Sequence, residues 1–393
     1  RFAIWKPTWH TPKVTCGKRT KVPLSGGWTA IDKKDFLKWL KKNEIDAVLF
    51  NEQEWLYPLI WCDNLKIPTV GYIDYYKKET IPMFSAYTAL ICNTKRHYSV
   101  FSWHPFSYYI PWGTDINIFK PKHSDFKLVN DNIITFFHSC GMDPYRKGTD
   151  ILLLAADKIT EEIKLIIHTQ IDLRSCFDNN INSIVDKLLN SGVLEIITET
   201  ISAPGLYHLG DVYVYPSRLE GIGLTIAEAQ ACGLVPLVTD NGPMNEFIND
   251  NKGFLINVSQ YYARYDAYYW PECTPDVNSL IMQIKNINNQ KSAIVELKKL
   301  NYQYAIEYLN WEKNSSKILD IFSTIKYVEL NDDIINRVIS FEESGFRKIT
   351  RIYLENYLIF SFIMNTVGKI LVLIGFKKSK IKCWYWISDH SHF

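Results

Sequence analysis

The chain has 393 residues, 47% of them hydrophobic and 22% charged, with a net charge of +2. That length exceeds one ordinary core, so two domains of roughly 120–200 residues each are expected. The composition excludes disorder and low complexity, and the near-neutral charge leaves no electrostatic footprint for nucleic acid or an acidic partner.

The first third alternates short apolar runs with helical patterns. An amphipathic stretch at 33–42 precedes a strand at 46–51, a helix is expected at 55–65, and further strands at 68–74, 89–93 and 108–111. Buried strands alternating with helices indicate parallel βαβ units. The turn-forming run Ile110-Pro111-Trp112-Gly113-Thr114-Asp115, followed by Lys120-Pro121 and a polar stretch to Asp131, marks a domain junction. The alternation then restarts, with strands expected at 133–137, 165–168, 194–197, 212–215 and 235–239 and helices at 149–159, 181–189, 225–232 and 277–287. A helical zone at 292–325 is expected to close this second domain. The division is therefore 1–118, 119–325 and a helical, aromatic and basic extension at 326–393. The abundant aromatics, 24 Tyr, 20 Phe and 12 Trp, read first as core and sheet residues, with sugar or lipid contact as the other reading.

Eight cysteines stand at 16, 62, 92, 140, 176, 232, 273 and 383, with no Cys-x-x-Cys and no suitably spaced histidine pair. They read as reduced thiols of a cytoplasmic protein without a zinc site. The sequons at Asn257 and Asn314 are weak signals without a leader.

The chemistry concentrates between Val212 and Gly242. A strand (Val-Tyr-Val-Tyr) runs into Pro216-Ser217-Arg218-Leu219, a glycine-bearing loop Glu220-Gly221-Ile222-Gly223-Leu224 follows, and a helix starts at Thr225. Such a loop exposes backbone N–H groups at a helix mouth, a site for phosphate. Glu220 and Glu228 flank it. Carboxylates there accept hydrogen bonds from hydroxyls, and phosphate plus polyhydroxyl describes a sugar nucleotide. The competing reading is a dinucleotide loop, since Gly221-x-Gly223 precedes a helix and Asp240 ends the next strand. Against it, Ile226 occupies the third glycine position and Arg218-Leu219-Glu220 separates strand from loop.

The run from Pro216 to Ala229, with Ala231-Cys232-Gly233-Leu234-Val235-Pro236 and Asn241-Gly242-Pro243 before Glu246, resembles the Glu-x7-Glu signature of family 4 glycosyltransferases. Pro111 to Asp115, Tyr145-Arg146-Lys147-Gly148-Thr149-Asp150, Leu209-Gly210-Asp211-Val212 and Asn310-Trp311-Glu312 resemble other parts of that family in the same order. The resemblance covers about 46–325. It implies the GT-B fold, an α/β architecture of two Rossmann-like, doubly wound parallel-sheet domains facing across a cleft. It also implies a retaining, metal-independent hexosyltransferase without a cofactor. The donor is then a nucleoside-diphosphate sugar, UDP- or GDP-linked, and the acceptor a glycan, a lipid-linked sugar or a small glycoside. By position, Glu220 would contact the transferred sugar, Glu228 the ribose, and Gly221, Ile222, Gly223, Leu224 and Thr225 the sugar and diphosphate. Lys147 and Arg146 would neutralise the departing diphosphate, a role that a site without metal needs cations to fill.

Departures from the family leave alternatives open: a degenerate partner-binding subunit, a dinucleotide enzyme or a GT-B epimerase. No Arg stands in Ser139-Cys140-Gly141-Met142-Asp143, where many relatives carry one. The first domain reads as truncated, with 2–5 as its opening strand and Ser25-Gly26-Gly27 as a displaced loop. Where relatives have a histidine after the strand at 68–74, this chain has Asp74, read either as an acceptor-orienting group or as a solvated strand end. His10, His97 and His138 read as structural rather than catalytic. In the tail, 357–376 approaches the length of a membrane span but contains Asn365 and Lys369, and lysines with Trp384, Tyr385 and Trp386 follow. Helices packed on the protein, docking on a membrane surface through 357–386, and a true span are the three readings.

Overall fold

A computed structural model describes residues 33–348, except 52, 54, 123–125, 131, 132, 250, 251 and 346, together with 366, 367 and 370. The expected strand at 2–5, the loop at 25–27, His10 and the tail segment at 371–386 lie outside the described residues, as does nearly all of 357–370.

The apolar runs of the first third form one parallel sheet. Helix α1 (Lys33–Lys42) precedes β1 (Val48–Asn51), and α2 (Tyr57–Asp63) leads to β2 (Thr69–Ile73), β3 (Ala89–Cys92), α3 (Lys95–Phe101) and β4 (Ser107–Tyr109). The strands pair in the order β1-β2-β3-β4, every pair parallel. Helix α3, absent from the sequence reading, is seven residues long and is started by Thr94, whose side chain accepts from the His97 amide. So short a helix carries too few turns for an apolar period to show.

The second domain opens with β5 (Thr135–Gly141), α4 (Thr149–Ala156), β6 (Lys164–Thr169), α5 (Asn179–Asn190) and β7 (Leu194–Thr198). It continues through β8 (Val212–Tyr215), α6 (Leu224–Ala231), β9 (Val235–Thr239) and β10 (Phe254–Ile256). The strand order β10-β9-β8-β5-β6-β7 is that of a doubly wound nucleotide-binding sheet, with its switch point between β5 and β8. Side chains alternate across β8: Val212 and Val214 join the core beneath α4, α5 and α7, whereas Tyr213 and Tyr215 join the opposite core with α6.

A hairpin then interrupts the βα alternation, β11 (Val258–Tyr262) against β12 (Glu272–Pro275), before α7 (Val277–Asn288). The helical zone expected to close the second domain divides. Helix α8 (Lys291–Tyr308) packs on that domain, through Ile294 and Ala305. Helix α9 (Trp311–Thr324), capped by Asn310, instead places Ile321 against Val70, Ala89, Ile91 and Ile110 of the first sheet. The chain thus returns to the first lobe at residue 311, and α10 (Asp332–Glu342) stays there, burying Val338 in the first core. The buried Glu342 accepts from the Leu56 amide at 3.0 Å and pairs with Arg347 at 2.9 Å. No helix among the described residues is long and apolar enough to cross a membrane.

Candidate active site

The switch point places two loops side by side. The turn after β5 carries Arg146 and Lys147, the turn after β8 carries Ser217 to Glu220, and the two are joined by the Arg218 amide donating to the Arg146 carbonyl at 2.8 Å. Their contact requires glycine: a Cβ on Gly148, whose φ is +70°, would lie 1.9 Å from the Pro216 carbonyl oxygen. A buried bidentate pair, Arg218 with Asp150 at 2.8 and 2.7 Å, stacks over the Tyr145 ring and fixes the same junction.

Glu220, 8% exposed, is the centre of this arrangement. Its Oε1 accepts from Arg146 at 2.8 Å, Lys147 at 2.6 Å, Tyr215 at 2.9 Å and Ser217 at 2.8 Å. Lys147 also donates to the Tyr215 hydroxyl. Burial, then the neighbouring Arg146, lowers the Lys147 pKa, while Glu220 opposes them. The ammonium is therefore held where added negative charge would favour it. Arg146 keeps a second carboxylate, Asp143, at 3.1 Å.

Helix α6 begins immediately beyond, with Gly223 in the left-handed region as its cap and no side chain capping its first turn. Its leading amides are thus available to an anion. The Thr225 hydroxyl in that turn is buried without a partner. Glu228, one turn deeper, is set apart from Glu220. It accepts from the Tyr207 hydroxyl at 2.5 Å, and burial raises its pKa.

Asp74 reaches this loop from the other lobe: a Cβ on Gly221 would stand 3.4 Å from its Oδ1. Four contributors escaped sequence reasoning: Tyr215, Ser217, Arg96 and Trp270. Tyr215 and Ser217 lie inside the recognised segment but read as strand and turn residues. Arg96 of α3 crosses from the first lobe, donating to the Glu220 carbonyl at 2.9 Å and to the Gly242 carbonyl. Glu246 returns the contact, accepting from the Lys95 and Arg96 amides at 2.6 and 2.8 Å. The hairpin supplies Trp270, whose ring lies 5.1 Å from the Arg96 guanidinium. The only sequence signal for these was the position of Glu246 behind Gly242-Pro243.

His138 is structural, its ring bonded to the Val214 carbonyl and to Thr149, both at 2.8 Å. The Leu209–Val212 turn is structural as well. Buried Asp211 accepts from the Val129 and Thr135 amides and pairs with Lys298 of α8 at 2.7 Å. Among the described residues, no cluster of His, Cys, Asp and Glu is arranged to hold a metal ion.

Two parallel Rossmann-like sheets, joined by a linker and by helices that cross back, define the GT-B class of protein. Residues 122–265 match the family described as Glycosyl transferases group 1. Among curated proteins, the chain is 30% identical over 94 residues to the lipopolysaccharide core biosynthesis mannosyltransferase LpsB of Rhizobium meliloti (strain 1021), covering 23% of this chain and 27% of that protein. It is 25% identical over 142 residues to the capsular polysaccharide biosynthesis glycosyltransferase CapM of Staphylococcus aureus, covering 35% of this chain and 36% of that one. The matched regions thus span about a third of those relatives. Among solved structures, a glycosyltransferase from Rickettsia africae ESF-5 superposes with a TM-score of 0.61 at 16% identity, over 74% of this chain and 80% of its own. Anabaena Alr3699/HepE in complex with UDP and glucose gives a TM-score of 0.55 at 15% identity, over 74% and 82%. At these identities the superpositions establish the fold.

Proposed function

We propose that the protein is a retaining glycosyltransferase of the family 4 type, moving a hexose from a UDP- or GDP-linked donor to a glycan, lipid-linked or small-glycoside acceptor. The observation that carries this reading is the Arg146–Lys147–Glu220 cluster at the sheet's switch point, directly before the open N-terminus of α6. Phosphates of the donor would meet the helix amides and the two cations, while Glu220 offers hydroxyls the oxygen that its four donors leave unused. Glu228, braced by Tyr207, suits the ribose. In the transfer, the bond from the anomeric carbon to the diphosphate oxygen breaks and the bond to the acceptor oxygen forms. Negative charge gathers on the leaving group, and preorganised cations stabilise it without reorganisation. That HepE was solved with UDP and glucose, and that the curated relatives are named for lipopolysaccharide core and capsular polysaccharide biosynthesis, supports the donor class and the acceptor range.

A thermal-shift screen of nucleoside diphosphates and their sugars tests the reading, since a ligand of the folded state raises its melting temperature by mass action. UDP or GDP and one of their conjugates should stabilise the protein. Lys147→Ala and Glu220→Gln should lower transfer about 10²–10³-fold. Wild-type turnover in both variants would count decisively against the assignment.

A further inference from the structure

A cavity of about 400 Å³ lies between the lobes on the linker side of the Arg96–Glu246 contact. Its walls come from the turn after β3, the linker, the glycine loop of the proposed donor site and helices α8 and α9. Ile222 lines it, so a molecule held there abuts the loop over which the transferred sugar would lie. Both lobes build it, so it takes its shape only when they meet.

Asn93, at the end of β3, lines this cavity and is 2% exposed. Neither its Nδ2 nor its Oδ1 has a hydrogen-bond partner. A buried primary amide with both ends unanswered is rare in native structures and signals a missing partner. One donor beside one acceptor matches a sugar hydroxyl, which both gives and takes a hydrogen bond. Tyr109 and Tyr308, each part exposed, offer ring faces on the same walls.

Positive charge is in excess around the cavity. Lys95, Lys313 and Lys317 line it, and none has an ion-pair partner among the described residues. Two carboxylates share the lining. Glu246 is held by the Lys95 and Arg96 amides and keeps its charge, so with Glu307 two carboxylates stand against three ammonium groups and the excess is positive.

We propose that this cavity is the acceptor subsite and that the acceptor is an anionic sugar, bearing a phosphate or a carboxylate. The Asn93 amide reads a ring hydroxyl and the lysines read the charge. This deepens the glycosyltransferase reading and rests on it. In the reaction the acceptor hydroxyl oxygen takes the anomeric carbon, the diphosphate oxygen leaves with the bonding pair, and the hydroxyl proton passes to that departing oxygen.

Calorimetric titration of the full chain, saturated with UDP, tests this with four probes: N-acetylglucosamine 1-phosphate, glucuronic acid, N-acetylglucosamine and inorganic phosphate. The sugar phosphate and the hexuronic acid should each bind about tenfold tighter than the neutral sugar, the scale of one added charge contact. Inorganic phosphate alone should bind more weakly than the sugar phosphate. The exposed double variant Lys313→Ala/Lys317→Ala should erase the preference for charge, with UDP affinity and melting temperature unchanged. Asn93→Ala should weaken neutral and charged sugars alike. Equal affinity for charged and neutral sugars, phosphate binding as tightly as its sugar ester, or an unaltered preference in the lysine variant would each overturn the proposal. Failure of the wild type to bind either UDP or GDP, read from a preliminary titration with each, would instead defeat the donor site.

Discussion

His138 shows how one buried side chain couples the strand frame to pH. A neutral imidazole satisfies the Val214 carbonyl by donating from Nδ1 and accepts from Thr149 at Nε2, whereas a second ring proton would face the hydroxyl oxygen. Complete burial lowers its pKa from 6.5 to about 4. The unfolded chain therefore binds this proton below pH 6.5 while the native chain refuses it until about 4. Stability is full above that window and is lost as the pH falls through it, by roughly 3 kcal/mol. Urea midpoints measured from pH 7 to pH 4 should fall accordingly, and His138→Asn should flatten that slope. His97, lowered to about 3, adds to that slope, whereas the raised Glu228 and Glu246 carboxyls oppose it. Ten residues along the chain from His138, Gly148 holds a left-handed φ with no room for a Cβ against Pro216. Gly148→Ala should cost about 3 kcal/mol or more in urea unfolding. Because it displaces Lys147, it should also weaken nucleoside-diphosphate binding; retention of wild-type stability would show that the two loops do not meet as described.

The hairpin of β11 and β12 is the element that the sequence conceals and the site depends on. Residues 257–276 separate β10 from α7, far longer than the 2–6 residues usual between a strand and a helix of such a fold. They are spent on a strap across the cleft. The Tyr269 amide donates to the Tyr76 carbonyl at 3.0 Å, Trp270 Nε1 donates to the Tyr76 hydroxyl at 2.6 Å, and the Tyr75 and Tyr268 rings stack 5.2 Å apart. Trp270→Ala removes the Arg96 contact and the Tyr76 bond together and should cost about 3 kcal/mol, seen as earlier protease cleavage between the lobes. The reason it was illegible is physical. Tyrosines stand on both faces of the hairpin, several of them exposed, so no period-two apolar pattern betrays it. By contrast β5, β6, β8 and β9 are buried on both sides; Glu220 stood out through the loop chemistry after β8, whereas Lys147 and Arg146 stood out only through the family resemblance. Arg96 gave no signal, because a lone arginine in a seven-residue helix looks like any solvated one. The destination of α9 was equally hidden, since an amphipathic stripe states that a face is buried but not against which sheet.

At the scale of the whole molecule, the lobes touch at two kinds of place besides the hairpin strap. The chain crosses between them twice at one pivot, where Gly113 passes the Leu309 carbonyl too closely for any Cβ, the Thr114 amide donates to that carbonyl at 2.8 Å, and the Trp112 and Trp311 rings stack 4.0 Å apart. Away from the pivot and the strap, the lobes are held by polar contacts across the active-site cleft: Arg96 on the Glu220 and Gly242 carbonyls, and Glu246 on the amides that open α3. The pivot combines a ring stack with backbone hydrogen bonds and lies away from the donor loop, whereas the cleft contacts converge on the loop proposed to hold the donor sugar. Glu246→Ala removes a carboxylate from two amides, each such charged bond being worth about 1.5–3 kcal/mol, and leaves the pivot untouched. The expected result is a broader interlobe distance distribution in small-angle scattering of the free protein, with unchanged secondary structure. Saturation with UDP or its sugar conjugate should narrow the distribution again, because a donor gripped by one lobe and roofed by the other restores the contact that the substitution removed. A distribution identical to wild type without ligand would mean that the Trp112–Trp311 pivot and the hairpin strap set the lobe geometry, and that Arg96 and Glu246 register closure rather than produce it.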